Sequence, residues 1–130
     1  MILDASVVVA GLVDDGPVGR WAEDLFVGSL ILAPHILPAE VANVLRRTER
    51  RGDISSDLAA LALADLMDLG IELVDFAPFS DRVWELRHNL TSYDAWYVAL
   101  AEALDQPLAT LDRRLAEAPG IRCEVLTAEY

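Results

Sequence analysis

Residues 92–112 read Ser92-Tyr93-Asp94-Ala95-Trp96-Tyr97-Val98-Ala99-Leu100-Ala101-Glu102-Ala103-Leu104-Asp105-Gln106-Pro107-Leu108-Ala109-Thr110-Leu111-Asp112. Tyr93 to Leu104 is a helix by composition and length, and Ser92 is placed to cap it. Gln106-Pro107 ends it, because proline brings no N–H to the helical ladder. Leu108 to Leu111 is then an apolar run of strand length that closes on Asp112. Helix, short break and strand form the repeating unit of a parallel α/β sheet.

The same alternation extends in both directions. Upstream, Ser80 opens a helix carrying Val83, Leu86 and Leu90, and Glu72 to Phe76 reads as a strand. Ser55-Ser56-Asp57 caps a helix from Leu58 to Leu69 that is apolar nearly all round and ends at Gly70. Such a helix calls for cover on more than one side. Another helix opens near Pro38, buries Val41, Val44, Leu45 and Thr48, carries Arg46, Arg47, Arg50 and Arg51 on its other face, and stops at Gly52. Leu30 to Ala33 is a short strand stopped by Pro34. Pro17 begins a helix with Val18, Trp21, Ala22, Leu25 and Phe26 on one face. Ile2-Leu3-Asp4 followed by Val7 to Ala10 reads as a short strand running into a loop or helical turn. Downstream of Asp112, a short helix at Arg113 to Ala118 precedes a strand at Glu124 to Thr127. With no short hairpin signals, the strands are expected to run parallel. A chain of 130 residues fits one domain, spanning 1–130.

Composition removes several function classes. Twenty-two Asp plus Glu against ten Lys plus Arg leave a net charge of −12, the wrong sign for a protein that holds nucleic acid by bulk charge. All the basic residues are Arg, so a Walker lysine, a Schiff-base lysine and the lysine of a receiver domain are absent. The longest uncharged stretch, Leu25 to Ala39, is interrupted by Gly28, Pro34 and Pro38 and is too short for a membrane span. Met1 to Asp4 has no basic leader, and a cytoplasmic location is the expectation. The single Cys123 has no partner for an internal disulfide or a thiolate metal site, and His35 and His88 lack metal-ligand spacing.

Four acids occupy positions that an ordinary solvated acid would not. Asp4 and Asp112 close strands, and the crevice outside the carboxyl ends of strands is the usual ligand site of an open α/β sheet. Glu40 and Asp94 fall in the first turns of helices, where the helix dipole favours a carboxylate. Each alone reads as a cap or a turn residue. Together the four can face one sheet edge, where they would repel one another unless a cation lay among them or some stayed protonated. An all-oxygen ligand set favours Mg²⁺ or Mn²⁺ over Zn²⁺, and the chemistry it suits is hydrolysis of a phosphodiester.

Asp4-Ala5-Ser6, the run from Pro38 to Arg47, the run from Leu90 to Glu102, and Ala109-Thr110-Leu111-Asp112-Arg113-Arg114-Leu115 together resemble PIN-domain nucleases, and more narrowly the VapC toxins of bacterial toxin–antitoxin pairs. The resemblance spans essentially the whole chain. It implies a three-layer PIN-like α/β fold, with a five-stranded parallel sheet between helices. Asp4, Glu40, Asp94 and Asp112 would be the acidic quartet that binds one or two Mg²⁺ or Mn²⁺ ions. By position, Asp4 and Asp94 are the first candidates for direct ligands, while Glu40 and Asp112 complete the site or orient the attacking water. The implied activity is metal-dependent cleavage of RNA, tRNA or ribosomal RNA, which arrests translation. The implied partners are a VapB-type antitoxin and a second copy of the chain in a homodimer.

Other residues are candidates for supporting roles. Ser6 and Thr110 are close enough in sequence to Asp4 and Asp112 to supply hydroxyls to them, and Asn43 lies one helical turn from Glu40. Arg46 and its neighbours, and Arg113 with Arg114, are candidates for RNA phosphate contacts, against the alternative of a solvated face on an acidic protein. Trp21, Trp84, Trp96, Tyr93 and Tyr97 read as packing residues. A noncatalytic PIN-like module that only binds a protein partner is the competing reading, and four intact acids weigh against it.

Overall fold

The computed structural model describes residues 1–128. Five short parallel strands form one sheet: β1 (Ile2–Leu3), β2 (Leu32–Pro34), β3 (Glu72–Val74), β4 (Leu108–Ala109) and β5 (Val125–Leu126), in the order β3-β2-β1-β4-β5. The central strand is β1, and the ladder runs past its two assigned residues: Leu32 N–H donates to the Met1 carbonyl and Asp4 N–H to the Ala109 carbonyl. Ile2, Leu3, Leu108 and Ala109 are fully buried, as the inner strands of a sheet covered on both faces must be. Strand order reverses between β1 and β4, which opens a crevice at their carboxyl ends.

Seven helices surround the sheet: α1 (Ala5–Val13), α2 (Pro17–Phe26), α3 (Leu37–Arg50), α4 (Ser56–Asp68), α5 (Ser80–Glu85), α6 (Ser92–Leu104) and α7 (Arg113–Ala116). A 3₁₀ turn at Ala77–Phe79 leads into α5. The helices α1 to α4 pack on one another, while α6 lies across β1, β2 and β4 with α5 beside it. Its residues Tyr97 to Ala101 are all buried, so α6 is a core helix with no polar stripe along its middle.

Several elements depart from the sequence expectation. Val7 to Ala10 is neither strand nor loop but part of the nine-residue α1. Its side chains are buried on several sides, which removes the polar face that marks a helix in sequence. Pro34 does not stop the second strand but is its last residue, paired with Val74. Thr91, not Ser92, caps α6, accepting the Asp94 N–H at 3.2 Å. The apolar helix α4 buries Ala62 and Leu66 but leaves Leu61 57% and Met67 66% exposed, so the cover expected on a second side is not supplied by this chain.

Two glycines allow α1 and α2 to meet. A Cβ on Gly11 would lie 2.3 Å from the Phe26 ring, and one on Gly19 would lie 1.8 Å from the Asp14 carbonyl oxygen. Among the described residues no helix is long and apolar enough to cross a membrane.

Candidate active site

The carboxyl end of β1 delivers Asp4, which is also the N-cap of α1. Asp4 is 8% exposed, and along with Thr110 it is one of two buried polar side chains in the described core. Its Oδ1 accepts from the Val7 N–H at 3.2 Å and from the Ser6 hydroxyl, and its Oδ2 accepts from the Thr110 hydroxyl. A carboxylate offers about four lone-pair directions. These bonds fix the orientation of the carboxylate.

The two hydroxyls also hold the end of β4. Ser6 Oγ accepts the Leu111 N–H at 3.0 Å, and Thr110 Oγ1 accepts the Asp112 N–H at 3.0 Å. Thr110 therefore bridges two members of the quartet, donating to Asp4 and accepting from Asp112. Asp112 itself lies beyond the strand and caps α7 by accepting the Arg114 N–H at 2.9 Å.

Glu40 and Asp94 sit in the first turns of α3 and α6. Glu40 Oε1 accepts a 2.7 Å hydrogen bond from the hydroxyl of Tyr97, which is 1% exposed. This contact joins α3 to α6 and leaves Glu40 Oε2 free. The sequence reading placed Tyr97 in packing alone. The one available signal was a phenol three residues after Asp94, one turn along the same helix.

Charge is costly here. Burial raises the Asp4 carboxyl above its ordinary range, and the Ser6 and Thr110 hydroxyls only partly oppose this. Burial also raises Glu40, with the Tyr97 bond opposing and Asp94 and Asp4 adding to the rise. Asp94 is raised by burial, then by Asp112 and Asp4, with Arg114 acting the other way. The four acids are thus electrostatic neighbours, and positive charge among them is what the arrangement lacks.

An oxygen-only set of partly buried carboxylates with free lone pairs fits a hard divalent cation in chemistry. In position the set is not closed: among the described residues no three His, Cys, Asp or Glu side chains already surround one point as ligands would.

The remaining candidates lie outside this cluster or at its edge. Asn43 does not reach Glu40, since its Oδ1 accepts from Arg46 Nε at 3.2 Å and Nη2 at 3.1 Å on an exposed surface. Arg46 is correspondingly engaged by Asn43. Arg113 is exposed, whereas Arg114 lies beside Asp112 at 3.8 Å.

Comparison with known proteins identifies the family of this fold. The family model described as the PIN domain matches residues 1–121. Ribonuclease VapC1 of Mycobacterium tuberculosis is 44% identical over 125 residues, covering 95% of this chain and 94% of that protein. Among solved structures, PAE2754 from Pyrobaculum aerophilum superposes with a TM-score of 0.68 at 25% identity, over 95% of this chain and 81% of that one. VapBC2 from Rickettsia felis, bound to a DNA fragment from its promoter, superposes with a TM-score of 0.66 at 16% identity, over 97% and 96% of the two chains. With the family model, the near full-length identity and the fold in agreement, the chain belongs to the PIN-domain family, among its VapC ribonucleases.

Proposed function

We propose that this chain is a Mg²⁺-dependent endoribonuclease, the toxin of a toxin–antitoxin pair, and that it arrests translation by cutting tRNA or ribosomal RNA in the cytoplasm. The observation that carries the reading is Asp4: a carboxylate held by Ser6 and Thr110 at the strand-order reversal, its pKa raised by its own burial, and close enough to Glu40 and Asp94 to disfavour their charge. A fold alone would have no use for that cost. The 44% identity to ribonuclease VapC1 supports RNA as the substrate class.

In the proposed mechanism Asp4 and Asp94 hold the cation directly, with Glu40 and Asp112 completing the site. Mn²⁺ is the expected substitute for Mg²⁺, since both take oxygen ligands. When bound, the cation supplies positive charge at the phosphate and acidifies water. Ser6 and Thr110 keep Asp4 in one orientation as ligand. Tyr97 holds one Glu40 oxygen and leaves the other free, and that oxygen is assigned to accept a proton from the attacking water. Asp112 is kept at the rim by its bonds to Thr110 and Arg114.

A VapB-type antitoxin is the proposed protein partner, supported by the fold shared with Rickettsia felis VapBC2. A homodimer is proposed as the assembly, and the exposed apolar side chains Leu61, Leu63 and Met67 of α4 support it. A monomer at all concentrations in sedimentation would remove the homodimer.

The deciding experiment incubates the protein with tRNA and ribosomal RNA pools in Mg²⁺ or Mn²⁺, with EDTA and Asp94→Asn as controls. Cleavage abolished by both controls is expected. Cleavage that survives both would sink the acidic-site mechanism, and no cleavage of any pool would favour a binding module.

A further inference from the structure

A recess of ≈ 170 Å³ opens directly from the acidic cluster, between the turn at Asn89 to Thr91 and the start of α7. Asp94, Asp112 and Arg114 line it, with Arg114 beside Asp112, and Leu90 and Leu115 add apolar lining. Among the described residues Arg114 is the one cationic side chain that lines this recess. We propose that Arg114 holds an RNA phosphate next to the one being cut, with the recess receiving the attached nucleotide; this rests on the endoribonuclease reading above.

Two observations bear on Arg114 beyond its place at the recess. Its backbone is anchored, because its N–H donates to Asp112 Oδ1 at 2.9 Å, so the side chain springs from a fixed point at the edge of the quartet. Its guanidinium is uncommitted: the side chain is 95% exposed, and the nearest carboxylate oxygen, Asp112 Oδ1, is 3.8 Å away, too far for a hydrogen bond. By contrast, Arg46 is held by Asn43, Arg51 pairs with Asp53 at 3.3 Å, and Arg82 is bound to Glu102. Arg113 precedes Arg114 by one residue but does not line the recess.

The chemistry suits the position. A guanidinium offers a planar fork that matches two phosphate oxygens, and it stays charged at any pH the protein survives. With a net charge of −12, the protein repels a polyanion at long range, so a cation beside the cluster has more to offset here than in a basic nuclease. The apolar wall suits the face of a ribose or base. RNA entering along this side meets Arg114 before it meets Asp94.

The test measures binding separately from cutting. A fluorescently labelled pool of 2′-O-methyl RNA 12-mers is titrated with the wild type, Arg114→Gln, Arg114→Lys and Arg113→Gln in Mg²⁺, over a series of salt concentrations. Arg114→Gln is expected to weaken binding about five- to tenfold and to reduce the salt slope by about 0.7, the value for one lost phosphate contact on a single strand. Arg114→Lys should recover part of the affinity, and Arg113→Gln should stay within about twofold of wild type. Circular dichroism of the exposed-site variants checks that folding is unchanged. Wild-type binding by Arg114→Gln, or an equal loss in Arg113→Gln, overturns the proposal. If the wild type binds the pool but cuts no RNA, the nuclease reading fails while the Arg114 contact is judged on binding; if the wild type does not bind the pool at all, the Arg114 contact fails.

Discussion

The Tyr97 hydroxyl donates to Glu40 Oε1 at 2.7 Å across 57 residues of chain, from a side chain that is 1% exposed. One bond therefore sets the direction of a carboxylate on α3 from the helix that carries Asp94. Tyr97→Phe keeps the ring and its packing but removes the donor. Cleavage is expected to fall about tenfold in kcat, the equivalent of about 1.4 kcal/mol, with KM little changed. Thermal stability should change by no more than about 1 kcal/mol. A variant with full kcat would show that Glu40 needs no such holding.

Asp94 illustrates the conflict between stability and activity. Its charge is opposed by burial and by the Asp112 and Asp4 carboxylates. Asp94→Asn removes that repulsion without changing shape. The metal-free variant is expected to melt about 3 °C or more above the metal-free wild type, while cleavage drops at least about 100-fold. Mg²⁺ or Mn²⁺ should raise the melting temperature of the wild type, EDTA should reverse the rise, and the variant should respond weakly to both. Calorimetry of both proteins with and without metal checks each part.

Stability against pH has two opposing contributions. On the far side of α6, Arg82 Nε and Nη2 meet the two Glu102 carboxylate oxygens at 2.7 and 3.1 Å, and the Arg122 N–H adds a third bond at 2.7 Å. Burial pushes the Glu102 carboxyl up, but these partners outweigh it and hold it below its ordinary 4.5. Its stabilisation is therefore present above pH 4.5 and is lost as the pH falls through the lowered value. Asp4, Glu40 and Asp94 have the opposite sign, because their folded-state values are raised and protonation favours the folded state. The metal-free protein should thus hold or gain stability on mild acidification before losing it below pH 4.5. Glu102→Gln should cost about 2 kcal/mol at neutral pH and flatten the loss at the acid end. An unchanged acid limb in that variant would assign the loss to other groups.

Much of this architecture was legible in the residues, for identifiable reasons. The helices around Trp21 and Val41 have one apolar and one polar face, so their spacing reveals them, whereas the Val83, Leu86 and Leu90 spacing overruns α5, which ends at Glu85. The Val7 to Ala10 segment reads only as a loop or helical turn, short of the nine-residue α1, because it is buried on several sides and a segment without a polar face has no periodicity. Cover for α4 was expected from its composition, but only the fold shows that Leu61 and Met67 are left bare. Asp4, Glu40, Asp94 and Asp112 were recognisable because strand ends and helix starts are positions that sequence marks. The Tyr97 bond was not, since it joins residues far apart in the chain, and neither was the choice of Arg114 over Arg113, which depends on where the recess opens.

Thr110 gives the sharpest separation of shape from chemistry. It is fully buried, and its hydroxyl both donates to Asp4 Oδ2 and accepts the Asp112 N–H at 3.0 Å. Thr110→Val preserves the branched shape but leaves a buried carboxylate oxygen and an N–H without partners. Each unsatisfied group costs about 1–3 kcal/mol, and the gain from an added methyl does not offset that. The variant should be destabilised by about 2 kcal/mol, and Mn²⁺ should bind it more weakly because Asp4 Oδ2 is no longer held and Asp112 is no longer tied to it. Thr110→Ser retains the hydroxyl and loses only a methyl, so it should keep near-normal metal affinity with a stability loss of about 1 kcal/mol. Equal metal affinity in the valine and serine variants, measured by calorimetric titration, would mean that the hydroxyl serves the fold and not the site.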